Sequence, residues 1–128
     1  MSLLKIYPGR ALTAALAEVT IPVRAIYTAV DQPEPDTMQA LADLMSLTPC
    51  LSLEVQHQPD APADRLVVQS MDDRELAFLG PPLGLELTAL VSAIITAGRG
   101  DSGLSPATRR GLARLSGPVR VQVFTTPT

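Results

Sequence analysis

The sequence predicts an α/β sandwich: a mixed four-stranded sheet with flanking helices and an extra strand near the C-terminus. Three observations carry this. Segments with apolar residues at helical spacing alternate with segments that are wholly apolar or apolar at every second residue. Two early strands are separated by a helical segment, which implies a right-handed parallel crossover. Two later strands, "RLVVQS" and "RELAFLG", are separated only by "MDD", a connection that permits nothing but an antiparallel hairpin.

The elements follow in order. In "RALTAALAEVT", Leu12, Ala15, Leu16 and Val19 share one helical face, and Pro22 helps to end the helix. "IPVRAIYTAV" is β-branched and apolar on both faces, the composition of an interior strand. After the loop "DQPEPD", Asp36 and Gln39 have capping-box spacing, and Met38, Leu41, Leu44 and Met45 form the buried stripe of a helix to about Leu47, closed by Pro49. "CLSLEVQ" alternates Leu51, Leu53 and Val55 with Ser52, Glu54 and Gln56, as a half-buried strand near a sheet edge does. The turn-rich "HQPDAPAD" leads into the hairpin. Leu83, Leu87, Leu90, Val91, Ile94 and Ile95 then mark a long helix, with Ala89, Ala93 and Ala97 as a second, small-residue face expected to be packed as well. Gly98 or Gly100 can end it in a left-handed cap. Ser105 and Pro106 open a short helix to about Leu115, and Gly117 releases the chain into "VRVQVF", where Val119, Val121 and Val123 alternate with Arg120, Gln122 and Phe124.

One domain accommodates all of this: a leader over residues 1–9, a core over 10–100, and a C-terminal helix and strand over 101–128. The element order is that of a thioredoxin-like sandwich. In "FLGPPLGLELTALVSAIITAGRG", moreover, Phe78, Gly80, Pro82, Gly84 and Glu86 match an aromatic-x-Gly-x-Pro-x-Gly-His-Glu run. With it, "LAEVTIPVRA" resembles a leucine-rich helix leading into a Pro-Val strand. On these residues the chain resembles the N-terminal domain of the flavoprotein subunit of alkyl hydroperoxide reductase, and within it the first, redox-inactive thioredoxin-like fold. Leu85 stands where that family has His, and Leu87 where it has an aromatic residue. Pro62 precedes the place where such folds carry a cis-proline, and Asp64 lies nearer to it. The resemblance implies that "VRVQVFTTPT" corresponds to the strand opening a second fold, ending just before its first cysteine.

It further implies a catalytically silent domain, without cofactor, that scaffolds or docks a disulfide relay. The implied partners are a flavoprotein or Cys-x-x-Cys domain and a peroxiredoxin, with Phe78, Gly80, Pro82, Gly84 and Glu86 as motif residues that serve as architecture or as contact surface. Two other readings stay open: a stand-alone homo-oligomeric module without redox role, and weak thiol chemistry at Cys50. The exposed valine face of residues 118–124 suggests a homodimer formed through that strand.

Composition removes other classes. A net charge of -3 and only two Phe, two Tyr and no Trp offer neither basic patch nor stacking platform to nucleic acid. The apolar run "LTALVSAIITAG" is far shorter than the ~20 residues of a membrane span, and the N-terminus lacks a signal-peptide core, so the cytosol is expected. One Cys and one His provide neither an internal disulfide nor a structural zinc site. Cys50 follows a helix C-terminus, whose partial negative charge disfavours a thiolate, and reads as structural. His57 reads as a solvated loop residue, and Asp72 and Asp73 as turn formers. Glu86 falls in a first helical turn, where the dipole alone stabilises a carboxylate.

Overall fold

The computed structural model describes residues 3–7 and 10–126. The helices are α1 (Leu3–Ile6), α2 (Ala11–Leu16), α3 (Pro35–Leu47), α4 (Glu86–Arg99) and α5 (Pro106–Ala113). The strands are β1 (Val23–Ala29), β2 (Leu51–His57), β3 (Arg65–Gln69) and β4 (Glu75–Leu79). They form one mixed sheet in the order β2-β1-β3-β4. β1 is interior, as its two apolar faces require, and pairs in parallel with β2 from Val23↔Leu51 to Ala29↔His57. It pairs antiparallel with β3, which forms the expected hairpin with β4.

One cluster makes the core. It joins Val23, Ala25, Tyr27 and Ala29 of β1 to Ala40, Leu41 and Leu44 of α3 and to Leu87, Leu90, Val91 and Ile94 of α4. Arg24, Ile26 and Thr28 alternate with the first set and lie outside the cluster, so α3 and α4 cover the same face of the sheet. The other face carries polar cross-strand pairs, Arg24 with Glu54 and Gln69 with Glu75. Leu3, within the expected leader, is buried in the core.

Local chemistry sets the element ends. The N-cap of α3 is Glu34, whose carboxylate accepts from the Asp36 N–H at 3.4 Å, with Pro35 at the first helical position. The N-cap is therefore two residues before the Asp36 of the expected Asp36–Gln39 capping box, and Gln39 bonds Asp43 instead. Gly100 ends α4 with φ 74°, in the left-handed region. Gly98 serves close approach: a Cβ there would lie 2.4 Å from Val19 Cγ1, and its carbonyl accepts from the N–H groups of Thr20 and Ile21, each at 3.0 Å. His57, expected in a loop, is the exposed last residue of β2, because the pairing with β1 continues one residue further, to Ala29↔His57.

The extra strand is not formed. Residues 117–126 join no ladder, and the side chains of Val119, Val121, Val123 and Phe124 are exposed. Residues 127 and 128 lie outside the described residues. Alternation makes a segment strand-competent, but a strand also needs an edge it can reach with allowed handedness.

Candidate functional site

β1 delivers its C-terminal end to the N-terminus of α3, and three connections meet there. Tyr27 is fully buried in the core, and a buried phenol needs a partner. Its hydroxyl donates to Asp64 Oδ2 and accepts from the Glu34 N–H at 3.0 Å. The other carboxylate oxygen of Asp64 accepts from the Val30 N–H at 2.9 Å, and the Asp64 carbonyl accepts from the Gly80 N–H at 2.8 Å. Burial, then the hydrogen bond to Asp64, pushes the Tyr27 phenol up to about 12. The hydroxyl thus ties the β1–α3 loop to the loop before β3, and Asp64 ties both to the run after β4.

That run holds the motif residues. Phe78 packs partly buried against the core. Gly80 and Gly84 have φ of 93° and 55°, and around Gly80 there is open space, so backbone conformation rather than room calls for glycine. Pro82 is buried, and its carbonyl accepts from Thr37 Oγ1 at 2.8 Å in the first turn of α3. Glu86 begins α4 and accepts from the Thr125 hydroxyl at 2.7 Å. Gly80 and Pro82 therefore join Tyr27, Asp64 and Thr37 at one end of the sheet. Glu86 faces outward to the C-terminal segment. Sequence reasoning missed Tyr27 and Thr37; the available signal was a tyrosine inside an apolar strand.

Cys50 lies elsewhere. It immediately precedes Leu51, which is paired with Val23, and its carbonyl accepts from the Val23 N–H at 2.9 Å. That is the start of β1, about 20 Å from its C-terminal end at some 3.3 Å per residue. The thiol is partly buried against the core and does not reach the α3 N-terminus. Asp72 and Asp73 form the β3–β4 turn as expected: the Ser70 hydroxyl bonds Asp72 and, with Arg74, lowers its carboxyl below the usual range, and Asp73 has φ 62°.

Chemically, the Tyr27 end is closed. Among the described residues no buried side-chain polar atom lacks a hydrogen-bond partner, and no group of three or more His, Cys, Asp or Glu side chains is placed to hold a metal ion. What the network does is hold loops in register. An open feature lies at the other end and along the β4 edge: a groove of about 690 Å³ between α4 and the hairpin. Val68, Leu76 and Met71 form one wall, and Ala89, Ala93 and Ala97 the other. The second face of α4, expected to be packed, is packed in part: Ala93 and Ala97 are half-buried against the core while Ala89 is exposed, because β4 has no outer neighbour and alanines are too short to close the gap.

No family model and no curated protein matches the chain. Solved structures do. A protein disulfide oxidoreductase from Aeropyrum pernix superposes with a TM-score of 0.66 at 23% identity, over 84% of this chain and 53% of the other. The alkylhydroperoxide reductase AhpF from Enterococcus faecalis gives 0.66 at 19% identity, over 81% and 57%. The chain spans little more than half the length of either. No described helix is long and apolar enough to cross a membrane. With a mixed four-stranded sheet, helices on its face and these neighbours, the chain has the thioredoxin-like fold.

Proposed function

We propose that this chain is a redox-silent thioredoxin-like domain that scaffolds or docks the proteins of a cytosolic disulfide relay, of the kind that links a flavoprotein to a peroxiredoxin. One observation carries the reading: where β1 passes into α3, the residues are Val30 to Glu34, without a thiol, fixed by the Tyr27–Asp64 network. A dithiol site needs exposed, low-pKa sulfur, and the single cysteine stands at the far end of β1. In this reading Phe78, Gly80, Pro82 and Gly84 are the architecture that shapes the contact surface and Glu86 is its outward-facing member, and the division into a core to residue 100 and a C-terminal arm belongs to it. The two solved neighbours named above support the redox context.

The test is an insulin disulfide-reduction assay with dithiothreitol as electron donor. The expected result is background turnover, identical in a Cys50→Ser chain, since one thiol has no resolving partner within the chain. Turnover that depends on Cys50 would replace this reading with thiol chemistry. Self-association through residues 118–124 is the second component of the proposal, favoured by the exposure of Val121, Val123 and Phe124, at 79%, 80% and 92%.

A further inference from the structure

We propose that residues 119–124 of one copy add a parallel fifth strand to the outer edge of β4 in a second copy, roofing the groove beside α4, with the two arms exchanged reciprocally. The inference rests on the self-association proposed above and specifies its edge, direction and register.

β4 is the edge that asks for a partner. Leu76 and Leu79 are 49% and 76% exposed, and no Lys or Pro interrupts the strand to discourage pairing. The arm complements it residue by residue in one direction only. In parallel, Arg120 falls beside Glu75, Val121 beside Leu76, Gln122 beside Ala77, Val123 beside Phe78 and Phe124 beside Leu79. Leu76 pairs with Val68 of the core face, so Val121 and Val123 would lie over the groove against Ala89 and Ala93. Arg120 and Phe124 take the opposite face, one meeting a carboxylate and the other an exposed leucine. Run antiparallel about the same centre, the pairing sets Arg120 against Leu79 and Phe124 against Glu75, wasting both contacts.

Handedness excludes the arm's own β4. β1 and β4 are each antiparallel to β3, so they run parallel to each other. The β1–α3–β2 crossover moves towards one edge of the sheet, and a β4–α4–arm crossover would move towards the other, with both helices on the same face. Such units have opposite hands. Parallel crossovers are right-handed in about 98% of cases, so with β1–α3–β2 obeying the rule, pairing within the chain breaks it. A second copy carries no such constraint, and reciprocal exchange about a two-fold axis satisfies both arms and both edges. It gives up the exposed Thr125–Glu86 hydrogen bond.

The experiment is sedimentation velocity on the full chain from low to high micromolar concentration, followed by cysteine cross-linking in a Cys50→Ser background. A concentration-dependent dimer is expected, lost with Val121→Asp and with Leu76→Asp, while the melting temperature measured at the lowest concentration holds. Arg120→Glu should weaken the dimer several-fold, and Glu75→Arg added to it should recover the loss. Gln122→Cys with Ala77→Cys should oxidise to a product of dimer mass; Arg120→Cys with Leu79→Cys should not. A monomer throughout, or a dimer indifferent to Val121→Asp, overturns both the association through residues 118–124 and this register. A dimer that needs Val121 but tolerates Leu76→Asp leaves the association standing and overturns the β4 edge. Cross-linking at monomer mass overturns the second copy as occupant.

Discussion

Tyr27→Phe removes one oxygen atom, and the structure says what that atom holds. Its hydroxyl joins two connections: it donates to Asp64 and accepts from the Glu34 N–H at 3.0 Å. Phenylalanine keeps the ring in a fully buried site, so packing is preserved and only the polar contacts change. A hydrogen bond to a charged group contributes roughly 1.5 to 3 kcal/mol, and Asp64 retains its second donor, the Val30 N–H at 2.9 Å. The orphaned Glu34 N–H can recover water only in part. We expect a loss of about 2 to 3 kcal/mol in urea denaturation at neutral pH, a large share of the stability of a domain this size. A pH dependence comes with it. The phenol's pKa is raised from its ordinary 10.0 to about 12 in the fold, so its stabilisation is intact below pH 10 and is lost as pH rises towards 12. Stability plotted against pH for the two chains should therefore converge across that window, the wild type falling more steeply by up to roughly 2 kcal/mol. Parallel curves, or a Tyr27→Phe cost below about 0.5 kcal/mol, would show that the network is incidental to the fold and that the loops are held by other contacts.

Gly98→Ala reverses the usual helix preference: alanine in a helix interior normally gains up to ~1 kcal/mol, but here its Cβ meets Val19 Cγ1 at 2.4 Å and the Val19 Cα at 3.2 Å. We expect a net loss of about 1 to 2 kcal/mol, smaller in a Val19→Ala background, read as a double-mutant cycle by urea denaturation. Equal losses in both backgrounds would place the strain elsewhere. Glu86→Gln should change stability by less than roughly 1 kcal/mol, since an outward carboxylate in a first helical turn contributes little and glutamine still accepts from Thr125. A larger loss in thermal unfolding would show that the carboxylate supports the fold and would take from Glu86 its place on a contact surface.

What the sequence made legible follows from range. The hairpin, the edge character of β2 and the interior character of β1 are written in local period, and each is found. The clamp was not legible because its partners are far apart along the chain: Tyr27 and Asp64 are separated by 37 residues, Thr37 and Pro82 by 45. Asp64 attracted notice only as the residue near an expected proline, whereas its carboxylate turns out to bind the β1–α3 loop. The α3 cap was misplaced because Asp36 and Gln39 have the spacing of a capping box, while the chain enters the helix through Pro35, whose fixed φ suits the first helical position and hands the cap to Glu34. The arm shows the limit from the other side: alternation fixes what a segment can do, and sheet topology decides whether it does it.

On the redox-silent reading proposed above, the N-terminus of α3 is a poor place for a thiolate. A reactive thiolate is stabilised by a helix N-terminus and by neighbouring cations. The N-terminus of α3 already has an anionic cap, since the Glu34 carboxylate accepts from the Asp36 N–H, and Asp31 and Asp36 flank it in sequence. A thiolate placed at residue 32 or 33 would meet carboxylates rather than bare amides, and like charge raises a thiol pKa. Proline at 33 and 35 and the hydrogen bond from the Glu34 N–H to the Tyr27 hydroxyl fix the backbone of this loop. The exposed apolar surface lies instead along the β4 edge and the groove beside α4. On that reading the backbone is held at the Tyr27 end of the sheet, and the exposed apolar residues open to a docking partner lie along its β4 edge.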